Sequence, residues 1–167
     1  KNKKTIGLCH GVFDVLHYGH LKHFEAAKKI CDYLIVSITS SQFIKKGPNR
    51  PINNNNQRLF FLQNLKLIDH VFVASGENGV DSINLIRPDF YFKGNDYINF
   101  KKDYSKKIIK EADAVKKNNG KIIFTNEKTF SSTKLINNYS ENLDEETKIY
   151  LLNISREISF ESIHKML

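Results

Sequence analysis

The sequence predicts an α/β protein in which a parallel sheet is flanked by helices, and three observations carry that prediction. Short apolar, β-prone runs alternate with stretches of helical periodicity along most of the chain, the pattern produced by right-handed strand–helix–strand crossovers. One run, Tyr33 to Ile38 (YLIVSI), is apolar almost throughout, as expected of a strand covered on both faces. The length, 167 residues, is enough for one such domain with a real core and a short appendage.

Taken in order, Lys4 to Cys9 reads as the first strand and His17 to about Ile30 as the first helix. Tyr33 to Ile38 is the second strand, followed by a polar loop, Thr39 to Asn53, broken by its Gly47-Pro48 and Arg50-Pro51 steps. One of the four asparagines Asn53 to Asn56 is expected to cap the second helix, which carries Gln57 and Arg58. Asp69 to Ala74 is the third strand, Val80 to Ile86 a short helix ended by Pro88, and Asp89 to Phe92 the fourth strand. A lysine-rich helix from about Ser105 to Lys117 leads through Gly120 to the strand Lys121 to Thr125, and Ser131 opens another helix. Leu143 to Ile154 and Phe160 to Leu167 read as amphipathic helices. The expected organisation is a Rossmann-like domain over 1–139 and a short C-terminal helical extension over 140–167, either a dimer-packing tail or a linker to a partner domain. The start at Lys1 rather than Met suggests a shortened chain.

Composition narrows the function classes. The net charge is +8, which raises nucleic-acid binding as a possibility to test. The excess is lysine, however: 22 Lys against four Arg, alongside 18 Asn and 19 Ile, a skew that follows A/T-rich codons. No arginine stripe and no basic–aromatic interleaving is present, so the expectation is a solvated lysine surface and no nucleic-acid partner. No apolar run approaches the roughly 20 residues that span a bilayer, so no membrane association is expected. Cys9 and Cys31 lack metal-ligand spacing, and a reducing cytoplasm is the expected home. Cys9, ending the first strand, reads as a small core residue.

The most informative stretch is Gly11 to His20, G-V-F-D-V-L-H-Y-G-H, placed where a strand hands over to a helix. A helix start offers unpaired N–H groups and a partial positive charge, which suit phosphate oxygens. Imidazoles placed there donate to a phosphate whose charge is growing. Gly11 lets the backbone approach a ligand, and Gly19 leaves room beside the rings of His17 and His20. The plainer alternative is a pair of histidines that only start and cap a helix.

This stretch resembles the signature of the cytidylyltransferase-like nucleotidyltransferases, which move a nucleoside monophosphate from a triphosphate onto a phosphorylated acceptor and release pyrophosphate. Asp14-Val15-Leu16 before the first histidine is similar to the phospho-alcohol and phospho-sugar branch, where the coenzyme-synthesis branch usually carries a proline. Lys46-Gly47-Pro48-Asn49-Arg50-Pro51 with Gln57-Arg58 resembles a segment of the heptose-phosphate adenylyltransferases. So does Pro88-Asp89 running into Lys93-Gly94-Asn95-Asp96-Tyr97, which is also similar to the G-D-D of the glycerol-3-phosphate cytidylyltransferases. Ser131-Ser132-Thr133 resembles the family's S-T-T at a helix start.

The resemblance implies direct in-line transfer with Mg²⁺ bound to the triphosphate. His17 and His20 would hold the α-phosphate and bridging oxygens, and Lys46 and Arg58 the outgoing charge. Nucleotide contacts fall to Gly11, Val12, Phe13, Asp14, Gly19, Lys93, Gly94, Asp96, Ser131, Ser132 and Thr133. Asp14 would orient the acceptor or the metal, and Asp96 would meet ribose hydroxyls or help hold Mg²⁺; no dedicated protein metal set is expected. Each has a plainer reading: a solvated basic loop around Lys46, an exposed helical Arg58, a turn residue at Asp96, a cap at Ser131. Asn126 to Phe130 lacks the arginine and glycine that precede S-T-T in the glycerol-3-phosphate enzymes, which tips the base from CTP toward ATP. The expected partners are the nucleoside triphosphate, a phosphorylated sugar or polyol, a second copy of the chain, and a fused sugar-kinase domain. The rival classes are a nucleotide-binding regulatory or scaffolding domain without catalysis and a synthetase-like RNA-handling domain.

Overall fold

The computed structural model describes residues 3–45, 50–94, 107–125 and 149. Within them, strands and helices alternate: β1 Ile6–Gly11, α1 Tyr18–Lys28, β2 Tyr33–Thr39, α2 Asn55–Gln63, β3 His70–Ala74, α3 Val80–Ile86, β4 Phe90–Gly94, α4 Lys107–Lys117 and β5 Lys121–Thr125, with a 3-10 turn at Ser41–Phe43. The strands make one sheet in the order β3-β2-β1-β4-β5, each neighbouring pair parallel, so the expected α/β class holds. The chain winds from β1 out to β3, then returns past β1 to β4. The direction of winding therefore reverses between β1 and β4, and their carboxyl ends, Gly11 and Gly94, flank the kind of crevice where open α/β sheets bind ligands. The chain divides into two units, 1–132 and 133–167. Of the second, the described residues include only Ile149, helical and exposed, so the rest of the extension expected over 140–167 and the helix expected from Ser131 lie outside them.

Both faces of the sheet are covered, and the two-residue period of the strands assigns side chains to each. Leu8 and Tyr91 turn to one face, packing with Ile83 of α3 and Ala114 and Val115 of α4. Their neighbours Cys9 and Phe92 turn to the other and join Phe24 and Ala27 of α1, Leu62 of α2, and Leu34, Val36 and Ile38 of β2. Cys9 is thus a core residue, its thiol pushed up in pKa by complete burial. Each fully buried Leu, Ile or Phe contributes about 1.5–3 kcal/mol, so these two clusters hold the sheet edge that carries the loops.

Boundaries shift where tertiary contacts outrank local pattern. β1 begins later than expected and runs on to Gly11, because the ladder with β2 continues through His10↔Ser37 and Gly11↔Ile38. α1 starts at Tyr18 rather than His17, since His17 is its cap, with extended φ −144° and ψ 171°. The cap of α2 is Asn54, whose Oδ1 accepts from the Gln57 N–H at 3.0 Å while Gln57 Oε1 accepts from the Asn54 N–H at 2.9 Å, a capping box.

Candidate active site

β1 delivers the chain into the turn Val12 to His17 at the carboxyl edge of the sheet. Phe13 sits at a left-handed φ of 49°, a conformation that costs energy for a bulky residue. Its ring compensates by burial, packing against Phe24 at 5.2 Å between centroids and edge-on against His20 at 5.2 Å. A Cβ on Gly11 would stand 3.0 Å from that ring, so Gly11 makes room for the loop's own packing. Of Phe13, expected among the nucleotide contacts, the ring is a core anchor.

His17 and His20 come together as the motif requires. Their rings stack with centroids 3.7 Å apart and planes 19° from parallel. His17 Nδ1 accepts from the His20 backbone N–H at 3.4 Å, a long cap bond. The plainer reading of the motif is therefore true of His17 as far as it goes. It also has a chemical consequence. With Nδ1 acting as acceptor, the neutral imidazole carries its proton on Nε2, and burial lowers the His17 pKa, favouring that neutral form. The ring presents an N–H donor at a helix start. Gly19 lies in the first turn of α1, between the two histidines in sequence.

Asp14 and Arg58 are turned inward. Arg58 is fully buried, and its guanidinium is surrounded by protein acceptors: Nε donates to Asn53 O (3.1 Å), Nη1 to Val12 O (2.7 Å) and Thr39 O (2.8 Å), and Nη2 to Ser41 Oγ (3.0 Å) and Asn55 Oδ1 (2.7 Å). All five N–H groups are engaged within the protein, where the sequence reading has Arg58 reaching the outgoing phosphates; the guanidinium clamps three loops. Burial pulls its pKa down, and the neighbouring Asp14 carboxylate opposes that.

Asp14, itself buried, accepts from the backbone N–H groups of Ile52 (3.0 Å) and Asn53 (2.8 Å), and its carboxylate lies 3.2 Å from Arg50 Nε. Its own carbonyl accepts from Asn53 Nδ2 at 2.6 Å. This carboxylate, expected to orient the acceptor or the metal, ties the β1–α1 turn to the segment entering α2. Val12, whose carbonyl Arg58 holds, belongs to the same clamp.

Lys93, expected among the nucleotide contacts, lies near the end of β4. Its ammonium is buried 2.7 Å from Glu111 Oε2 and 5.2 Å from the centroid of Tyr91, while Glu111 Oε1 accepts from the Gly79 N–H at 2.9 Å. The pair joins β4 to α4 and the start of α3, and the ammonium faces into the fold. Gly94 ends β4 in open space: a Cβ there would meet nothing within 4 Å. Lys46, Asp96, Ser131, Ser132 and Thr133 lie outside the described residues.

Two histidines at this edge escaped the sequence reading. His10 Nδ1 lies 2.8 Å from Ser37 Oγ and its Nε2 3.2 Å from Thr39 Oγ1. His23 Nδ1 lies 2.7 Å from Thr125 Oγ1, and burial, with the Lys93 ammonium nearby, lowers its pKa to about 4. The signal for His23 was its place three residues after His20, on the same helical face. His10 had the alternation of β1 pointing its side chain opposite Cys9. Among the described residues, no group of three or more His, Cys, Asp or Glu side chains is gathered as a metal set.

A five-stranded parallel sheet with its winding reversed at β1/β4, and two stacked histidines at the helix start beside that crevice, define the class of α/β nucleotide-handling domains. The chain belongs to the cytidylyltransferase-like family, which it matches over residues 8–138. It is 32% identical over 139 residues to the bifunctional protein HldE of Campylobacter fetus subsp. fetus, covering 82% of this chain and 28% of that one. Its identity to the bifunctional protein HldE of Hyphomonas neptunium is 37% over 120 residues, covering 71% and 23%. The chain thus spans about a quarter of the length of these curated relatives. Among solved structures, the lipopolysaccharide core biosynthesis protein from Thermoplasma volcanium GSS1 shares the fold with a TM-score of 0.62 and 22% identity, over 76% of this chain and all of that one. The pantoate-beta-alanine ligase of Francisella tularensis shares it with a TM-score of 0.54 at 20% identity, over 93% of this chain and 71% of that one.

Proposed function

We propose that this domain is a nucleotidyltransferase that moves a nucleoside monophosphate from a triphosphate to a phosphorylated sugar or polyol and releases pyrophosphate, supplying activated precursors of cell-surface polymers. The stacked pair His17 and His20 at the start of α1 carries the reading. An oxygen of the acceptor phosphate attacks the α-phosphorus, the new O–P bond forms, and the bond to the bridging oxygen breaks opposite it. The acceptor oxygen is already anionic near neutral pH, so no base is needed, and catalysis is positioning plus charge stabilisation. The Nε2–H of His17 and the imidazole of His20 meet the α-phosphate and bridging oxygens. The Asp14–Arg50 and Arg58 clamps hold the β1–α1 turn in place while they do so.

Of the other expected phosphate contacts, the proposal keeps Lys46 for the departing pyrophosphate and Ser131, Ser132 and Thr133 for its oxygens. Mg²⁺ accompanies the triphosphate and neutralises part of its charge. Asp14, with both carboxylate oxygens engaged by the protein, does not fit as its ligand, and Asp96 is the proposed alternative. ATP is favoured over CTP on the Lys46–Pro51 and Lys93–Tyr97 resemblances and on Asn126. A fused sugar-kinase domain and a homodimer belong to the same proposal; the bifunctional relatives, of which this chain spans a quarter, support the fusion.

The test is pyrophosphate release from ATP, CTP, GTP and UTP against a panel of sugar-1-phosphates and polyol phosphates, with Mg²⁺ present and absent. One triphosphate should win clearly, because a mismatched base leaves buried polar groups unpaired. Release from none of them would refute the transferase reading.

A further inference from the structure

We propose that His23 is a positioning residue for the transfer: its hydrogen bond to Thr125 pins the helix that carries His17 and His20 to the carboxyl end of β5. The inference rests on the transferase reading for its consequence, but the tether itself is a matter of geometry. α1 is anchored in the core by Phe24 and Ala27, both fully buried, and such non-directional contacts alone do not fix its rotation to a fraction of an ångström. A directional bond does. The His23 Nδ1 to Thr125 Oγ1 distance is 2.7 Å, and Thr125 is itself buried, so the bond is shielded from water.

The Thr125 hydroxyl also lies 3.4 Å from Lys93 O, and the contact to His23 is the shorter of its two, whichever way the hydroxyl proton points. Burial and the nearby Lys93 ammonium hold the imidazole neutral at physiological pH. Thr125 is the last residue of β5, and the chain that follows it leads to Ser131, Ser132 and Thr133. One bond therefore joins the helix bearing the histidine pair to the strand that precedes the proposed triphosphate-binding residues in the chain. Misplacing a reacting group by 1 Å costs up to about 10²-fold in rate.

The experiment compares Thr125→Val, which removes the hydroxyl at nearly constant volume, with Thr125→Ser, which keeps it, and with His23→Leu and the double variant. Two readouts are taken: steady-state pyrophosphate release with the preferred triphosphate and acceptor, and amide hydrogen exchange across Leu21 to Phe24 without any ligand. Thr125→Val and His23→Leu are each expected to lower kcat by about tenfold or more, with the KM for triphosphate moving less than about threefold. The double variant should be no worse than the poorer single one, and Thr125→Ser should stay close to wild type. Exchange in α1 should quicken in Thr125→Val and not in Thr125→Ser.

Unchanged kcat in Thr125→Val, additive losses in the double variant, or failure of Thr125→Ser to preserve activity would each overturn the proposal. So would loss of the far-UV circular dichroism of Thr125→Val, which would make the pair a general support of the fold. If wild type releases no pyrophosphate, the transferase reading fails separately. The exchange rates then still decide the tether, faster exchange supporting it and unchanged exchange overturning it.

Discussion

A guanidinium has five N–H groups in a rigid fork, and at Arg58 each one meets an acceptor inside the protein. Arg58→Met should therefore act on stability, by about 3 kcal/mol or more, because it strands buried carbonyls and removes the charge facing Asp14. Urea denaturation measures this directly. If stability is unchanged and only the KM for triphosphate rises, the side chain reaches a ligand after all. Beside the nearby Asn53 and Asn55, the clamp's partners Val12, Thr39 and Ser41 are distant in the chain, and a charged residue on a helix ordinarily faces water. Lys93 escaped for the same reason, its partner Glu111 lying on another element. His17 and His20, by contrast, were legible because their placement depends on local spacing and on a strand-to-helix handover.

His23 adds a pH dependence whose sign follows from its depressed pKa. An unfolded histidine titrates near 6.5 and the folded one near 4, so folding disfavours the proton. The stability contribution is complete above about pH 6.5 and is lost as pH falls toward 4, on the order of 3 kcal/mol across the window. His23→Asn, which cannot titrate, should show a smaller decline over the same window in urea midpoints. An identical decline would mean that His23 is not neutral in the fold.

At the scale of elements, the helix starts organise this edge of the sheet. α1 is capped by His17, so one imidazole both ends the β1–α1 turn and keeps its Nε2 for another partner. α2 is capped by the reciprocal Asn54–Gln57 pair, directly after the segment that Asp14 and Arg58 hold. Asn54→Ala should cost about 1 kcal/mol of stability, read from the urea midpoint at constant m-value. It should also loosen the entry to α2 enough to raise the KM for triphosphate more than it lowers kcat. Val80–Ile86 and Lys121–Thr125 have the bounds their periodicity predicts, since each is bracketed by strong punctuation: Pro88 after one, Gly120 before the other. The ends of β1 were harder to read because a ladder with β2, rather than local apolarity, decides where β1 stops.

At the scale of the whole molecule, the winding reversal between β1 and β4 brings the H-x-G-H turn to the crevice, and both faces of the sheet are sealed by helices. The net charge of +8 gives long-range attraction to any polyanion, but it is carried mainly by lysines without a stripe to direct it. Binding to RNA should accordingly be weak and disappear with salt, and calorimetry should find heat with Mg²⁺-triphosphate. Tight RNA binding without triphosphate heat would reverse that expectation. The central claim is that the paired imidazoles at the start of α1 stabilise charge on the transferred phosphoryl group. Its most direct test is the kcat for pyrophosphate release by His20→Ala beside wild type, because His20, unlike His17, is not the helix cap. The account predicts a folded variant with kcat lower by about 10²-fold or more, the scale of losing a donor to developing charge. A folded His20→Ala enzyme that turns over at nearly the wild-type rate would contradict it.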